Sequence, residues 1–212
     1  MFSQKYIGIE IQLQDNGYSV EKAVLIQVKG TKINIEWSKQ IHSIDELEKD
    51  IPLIISLNGK GILIKNINEF SDNIIQTAQS ILPGVNENDF LIQKTNTLKN
   101  SVIAICRKDK LTAIIDDFIT KGFFVTDIFL SPIQIKIIEP LLQNSILSSI
   151  KTSDFLIKME SGKLVEIIKA SAEKTDDVSI NVGGLLVEQN YILPFLSAIS
   201  IILNSKECTS SN

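Results

Sequence analysis

The residues that could do chemistry are few and scattered. The chain has one histidine, His42, which precedes Ser43 in a polar stretch. A Ser-His-Asp relay or a metal centre needs partners that converge on the imidazole. None is identifiable by spacing, so His42 reads as a surface loop residue. Asn58-Gly59-Lys60-Gly61 offers two glycines whose backbone N–H groups can approach an anion. The stretch lacks the GxxxxGK[ST] spacing and joins two apolar runs rather than a strand and a helix, which favours a hairpin turn. Arg107, Lys108 and Asp109 follow an apolar run and read as a solvated turn. Asp116 and Asp117 fall on the outer side of a helical pattern, and Asp176 and Asp177 lie in a charged loop. Trp37 reads as core or edge cover at a strand end. Cys106 sits inside an apolar run and Cys208 in a polar tail, so no structural disulfide is expected and a reducing compartment suits the chain. These residues assign no catalytic, cofactor-binding or metal-binding position.

The elements that would have to position such residues are clearer. Ile7, Ile9, Ile11 and Leu13 alternate with polar residues over Tyr6–Leu13, which predicts a half-buried strand. Asp15-Asn16-Gly17 is turn chemistry, and strands over Glu21–Val28 and Ile33–Trp37 flank the turn at Gly30. Ser43 with Glu46 three residues on has capping-box spacing before a short helix. Pro52–Leu57 and Ile62–Ile67 read as a strand pair around Gly59, followed by a helix over Ser71–Leu82 and a strand over Asp89–Gln93. The clearest unit is Ser101 to Ile138. Val102–Cys106 is a strand buried on both faces, and Asp109 is placed to cap a helix. Leu111, Ile114, Ile115 and Phe118 form that helix's inner stripe, and Gly122 ends it. Phe123–Leu130 is the next strand, so the unit is expected to be a right-handed parallel crossover. Later, Leu141–Ser149 completes a connecting helix. Asp154–Met159 and Lys163–Lys169 form a hairpin, and Val178–Val182 and Leu185–Glu188 flank Gly183-Gly184. Pro194 opens a closing helix to Asn204 that is apolar nearly all round.

With 212 residues, 44% hydrophobic and 22% charged, the chain has enough apolar surface for a real core. A net charge of −4 and a pI of about 5.1, with no basic cluster among aromatics, argue against nucleic acid as a partner. The N-terminus lacks a signal-peptide pattern, and the apolar stretch Tyr191–Leu203 is too short to span a bilayer, so a soluble chain is expected.

Three strands, a helix, a strand pair, a helix and a strand, then strand–helix–strand and a second strand-rich segment resemble the actin-like, ribonuclease H-like plan. Particular stretches narrow the resemblance: YIGIEIQ, PLIISLNGKGILIKNI, a helix closing on ILPG, NDFLIQ, and SVIAICRKDKLTAIIDDFITKGFFVTDIFLSP. Together they resemble the PilM/GspL-like cytoplasmic proteins of type IV pilus and type II secretion assembly platforms. Lys121-Gly122-Phe123-Phe124 and Asp127–Pro132 hold that family's turn and following strand. The resemblance covers residues 5–140 well and 150–204 loosely. It implies an α/β fold of mixed sheets flanked by helices, with residues 1–145 as a first actin-like lobe. Residues 58–97 would be a small inserted subdomain, 146–205 a second, reduced lobe, and 206–212 a polar tail.

The actin-like plan raises the question of nucleotide. An active member is expected to carry an acidic-x-Gly phosphate loop at the start of each lobe and a Gly-Gly turn by the adenosine. Here Glu10 replaces the aspartate, but no glycine follows at the right place. In the second lobe Lys158 and Met159 stand where the acidic-x-Gly pattern belongs. Gly183-Gly184 matches the third part only weakly. Two-metal nuclease chemistry would need strand carboxylates, and Glu10 with Asp127 would be the pair. The resemblance therefore implies a non-catalytic scaffold without cofactor, held at the inner face of the bacterial inner membrane. Its partners would be the assembly ATPase and inner-membrane platform proteins, with a homodimer open. Two alternatives remain. One is a divergent actin-like ATPase or sugar kinase using Glu10, Gly162 and Gly183-Gly184. The other is a ribonuclease H-like nuclease. The closing helix and the unit from Ile62 to Gln93 are the expected partner surfaces.

Overall fold

The structure, a computed structural model, describes residues 3–68, 73–142, 147–170, 178–203 and 209–210. The elements in order are β1 (Ser3–Leu13), β2 (Tyr18–Lys29), β3 (Lys32–Gln40), a 3-10 turn at Ile44–Glu46, β4 (Leu53–Gly59), β5 (Ile62–Ile67) and α1 (Ile74–Ile81). Then follow β6 (Phe90–Asn96), β7 (Ser101–Arg107), α2 (Lys108–Thr120), β8 (Val125–Leu130) and a 3-10 run over Ile133–Leu141. The chain ends with β9 (Ser149–Lys151), β10 (Phe155–Glu160), β11 (Lys163–Lys169), β12 (Ser179–Val182), β13 (Leu185–Glu188), α3 (Ile192–Leu203) and β14 (Thr209–Ser210). The fold is mixed α/β.

Five strands form the main sheet in the order β3-β2-β1-β4-β8. The opening meander is antiparallel, as its turns predict, whereas β4 runs parallel to β1 and β8 parallel to β4. The predicted capping box is present: Glu46 Oε1 accepts the backbone N–H groups of Ser43 and His42, and the Ser43 hydroxyl accepts that of Asp45.

Two pairings differ from the sequence expectation. Ile62–Ile67 is not the partner of Pro52–Leu57. β4 already has β1 and β8 on its two sides, so β5 turns away at Lys60-Gly61 and pairs antiparallel with β7 in a second sheet, ordered β14-β6-β7-β5. For the same reason β7–α2–β8 is not a single-sheet crossover. β7 belongs to the second sheet, and the parallel connection runs from β4 to β8 through everything between them. Gly59 makes that departure possible. Its φ is +101°, and a Cβ there would lie 2.3 Å from the Leu13 carbonyl oxygen, which accepts the Lys60 N–H at 3.0 Å.

Smaller corrections follow from local geometry. Arg107, not Asp109, is the N-cap of α2, because β7 runs straight into the helix; Asp109 lies in its first turn and accepts the Lys110 N–H at 2.7 Å. Pro194 is the third residue of α3 rather than the first, still within the turn whose N–H groups lack helical partners. The connecting helix is a 3-10 run that ends at Leu141, and residues 143–146 lie outside the described residues. Residues 71–72, 171–177 and 204–208, with Asp176, Asp177 and Cys208 among them, also lie outside.

α3 is central to the core rather than a docking face. Pro194, Phe195, Leu196, Ala198 and Ile199 are all buried. The helix lies on β1, β2 and β4, and it approaches so closely that a Cβ on Gly8 would sit 1.8 Å from the Pro194 carbonyl oxygen. The closing helix is thus removed from the expected partner surfaces. Phe118 of α2 packs on Tyr18 and Phe123 with ring centroids 6.0 Å apart in each pair. Tyr18 faces the same side as Leu13, opposite Gly8, so helices cover both faces of the main sheet. A smaller core of Ala78, Val85, Ile92, Ile103 and Ile105 lies between α1 and the second sheet. Among the described residues no helix is long and apolar enough to cross a membrane.

Candidate functional site

Polar residues within the main sheet gather toward the carboxyl ends of its parallel strands, where open α/β sheets commonly bind ligands. Glu10 of β1, Ser56 and Asn58 of β4 fall at alternate positions and so share one face. Each is buried. Asn58 Nδ2 donates to Glu10 Oε1 at 2.9 Å, and the Ser153 hydroxyl donates to the same oxygen at 3.4 Å. Lys22, opposite Glu10 on β2, holds its Nζ 3.6 Å from Oε2. Burial raises the Glu10 pKa; Lys22 and the Asn58 bond act against that, and nearby Asp154 adds to it. Next to this group, Gln134 Nε2 donates to the Ser56 and Ser131 hydroxyls at 2.8 and 2.9 Å, and the two hydroxyls bond each other. Asn58 Oδ1 and Gln134 Oε1 have no hydrogen-bond partner.

The chemistry this arrangement supports is limited. Ser56 and Ser131 are enclosed and touch an amide rather than a base, so neither is activated as a nucleophile. His42 is exposed and uses its backbone N–H, not its ring, to bond Glu46. Glu10 and Asp127 do not converge. Asp127 pairs with Ile54 and Glu10 with Ser56 on opposite sides of β4. Two strand spacings and two residues of rise place their Cα atoms on the order of 12 Å apart, and Glu10 is buried and bonded by Asn58, Lys22 and Ser153 whereas Asp127 is exposed and accepts the Ile128 N–H at 2.8 Å. Among the described residues no group of three or more His, Cys, Asp or Glu side chains is placed to hold a metal ion.

The remaining phosphate-loop candidates are hairpin turns. Gln14 donates its N–H to the Gly17 carbonyl at 3.1 Å and closes the β1–β2 connection. Ser161 (φ 51°) and Gly162 (φ 76°) form the β10–β11 turn, and Lys158 ion-pairs with Glu166 at 2.9 Å on the solvent side. Gly183 and Gly184 join β12 to β13, where the Gly184 N–H is taken by Asn181 Oδ1 at 2.8 Å. Above the Glu10 cluster lies a groove of about 320 Å³ lined by Gln12, Asn58, Lys60, Lys65, Asp154 and Lys169 among others. A second of similar size lies between the β1–β2 turn and α2, lined by Leu13, Tyr18, Lys110, Ala113 and Ile114.

Sequence reasoning picked out Glu10 but missed its partners. Ser56 and Asn58 carried one usable signal, two polar residues at i and i+2 in an otherwise apolar strand. Lys22, Ser131, Gln134 and Ser153 carried none.

No family model and no curated protein sequence matches this chain. Solved structures do. One is "cyto-EpsL", the cytoplasmic domain of EpsL, an inner membrane component of the type II secretion system of Vibrio cholerae. It is 9% identical with a TM-score of 0.46, covering 78% of this chain and 70% of that one. Another is a chain of a PilM–PilN type IV pilus biogenesis complex, at 11% identity and a TM-score of 0.53, covering 78% of this chain. This chain spans 62% of that neighbour's length. A third is a Bacteroides thetaiotaomicron protein of actin-like ATPase fold and unknown function, at 14% identity and a TM-score of 0.36, with 78% and 70% covered. The first two are actin-like ATPase-fold proteins of secretion and pilus systems. The likeness to the pilus-complex chain shows the fold of this one.

Proposed function

We propose that this chain is a non-catalytic cytoplasmic scaffold of a bacterial type II secretion or type IV pilus inner-membrane assembly platform. The observation that carries the reading is the state of Glu10. Glu10, the carboxylate that the sequence offers for a first phosphate loop, is buried and engaged by Asn58, Lys22 and Ser153 of the chain itself. A hydrated magnesium ion would have to displace those partners. The fold likeness adds that this architecture occurs in a type IV pilus biogenesis complex.

In this reading the first lobe, expected over residues 1–145, carries an insertion that begins near 58 and runs past 97 to take in β7, which pairs with β5 and β6; the segment after 146 supplies a second, and its α3 returns to the first lobe's sheet. The partners are the assembly ATPase and inner-membrane platform proteins rather than nucleic acid. The groove between the β1–β2 turn and α2 is a suitable place for an extended segment of such a partner.

Titration calorimetry with Mg-ATP tests the proposal. No heat across several temperatures is expected, and no thermal shift. A single site at a hundredfold excess over its dissociation constant would stabilise the chain by about 2.7 kcal/mol. Micromolar binding lost on changing Glu10 would instead favour a divergent actin-like ATPase.

A further inference from the structure

An unpaired sheet edge offers its backbone to another strand, and proteins usually block it. Two edges here are blocked by side-chain amides. Gln93 bonds the Ile128 carbonyl and the Leu130 N–H on the outer side of β8, and Asn66 bonds both backbone groups of Ile167 on β11. β3, the other edge of the main sheet, has no strand or amide against its outer side among the described residues.

The register of β3 specifies what would fit. Lys29 and Lys32 face each other across the two-residue turn Gly30-Thr31, so they form the hydrogen-bonded pair next to the turn. Alternation then aims Asn34 at Gln27 and turns the N–H and C=O groups of Ile33 and Ile35 outward. The side chains of Ile33 and Ile35 pack on the core, while Lys32, Asn34 and Glu36 are exposed. Neither Lys32 nor Glu36 is in an ion pair among the described residues. Glu36 is the extra residue of a bulge, between the pairs Ile26–Ile35 and Leu25–Trp37, so a regular ladder on this edge ends there.

We infer that β3 pairs antiparallel with β3 of a second copy of this chain, about a two-fold axis through Asn34. In that register Ile33 of each copy lies opposite Ile35 of the other, and all their outward backbone groups are satisfied. Lys32 of each copy lies opposite Glu36 of the other, a cross-strand pair within reach of an ion pair. Centring on Ile33 or Ile35 leaves both charges without a partner, and centring on Lys32 or Glu36 sets like charges together. The strand is therefore complementary to itself in one register, which favours a second copy over an unrelated strand.

The test is sedimentation equilibrium up to about 200 µM, because a contact confined to an edge falls at the small, transient end of interface sizes. The expected species has twice the 23.6 kDa chain mass. Lys32→Glu and Glu36→Lys should each be monomeric with unchanged circular dichroism and Tm. Mixing the two variants should restore a dimer, because one then presents only acids and the other only lysines. A monomeric wild type, a dimer indifferent to both substitutions, or a mixture that stays monomeric would overturn the inference.

Discussion

The side-chain amide of Asn66 stands in for a neighbouring strand at Ile167: Nδ2 donates to the Ile167 carbonyl at 2.7 Å, and Oδ1 accepts the Ile167 N–H at 3.3 Å. Gln93 does the same for β8, donating to the Ile128 carbonyl and accepting the Leu130 N–H, each at 2.7 Å. Both amides come from the second sheet. They fasten it to the main sheet on one side and to the β9–β11 sheet on the other, so they hold parts of the chain in register as well as blocking edges.

These amides should differ in cost when removed. Gln93 is buried, so Gln93→Leu leaves two backbone groups unpaired away from water, at about 1–3 kcal/mol for each. Asn66 bonds Ile167 beside the open 320 Å³ groove, where water can replace the lost amide. Asn66→Ala is expected to cost about 1 kcal/mol or less. Urea denaturation of both variants measures this; a Gln93→Leu midpoint equal to that of the wild type would remove Gln93 from any structural role.

The contrast between the amides and the strands that carry them shows what the sequence discloses. Ile7, Ile9, Ile11 and Leu13 announce a strand because alternation is a local property, and Ser43 with Glu46 announces a cap for the same reason. Pairing is not local. The apolar run of β4 says that both its faces are buried, but not that β1 and β8 flank it, and β5 is only its neighbour in the chain. Asn66 and Gln93 look like solvent-facing residues until the edge each one covers is known. Glu10 stood out alone; its partners come from β2, β4 and the loop before β10, and no spacing links them. Asp109 had the right chemistry for a cap but stands one residue inside a helix that begins without a loop.

Gly8 is a packing glycine rather than a turn glycine. A methyl group there meets the backbone of Pro194 at 1.8 Å and that of Ala198 at 2.7 Å, so α3 must lift from the sheet. Gly8→Ala is expected to cost about 3 kcal/mol, the upper end for overpacking, with a large fall in Tm. Gly17→Ala is the control. Its Cβ meets nothing within 4 Å, but its φ of +89° is unfavourable for alanine, and about 1 kcal/mol is expected. If Gly8→Ala is no worse than Gly17→Ala, α3 does not seat on β1 as described.

Glu10 should make stability depend on pH in an unusual direction for a carboxylate. Its pKa is raised in the folded chain, chiefly by burial, so the folded state holds the proton more tightly than the unfolded state does. Stability from this group is fully present below the unfolded pKa of about 4.5 and is lost as pH rises through the higher folded value. Glu10→Gln keeps a hydrogen-bonding side chain and removes the titration. The stability of the wild type relative to Glu10→Gln should therefore fall as pH increases from about 4.5 toward neutrality. Each unit of separation between the folded and unfolded pKa values contributes about 1.4 kcal/mol to that fall. Groups with lowered pKa values, such as Asp117, act below this window and are common to both proteins, so they cancel in the difference. Chemical denaturation of the pair at intervals from pH 4 to 8 gives the curve. A difference that stays flat would mean that Glu10 titrates as it does in water. An increase with pH would mean that the Lys22 ion pair outweighs the burial of the carboxylate.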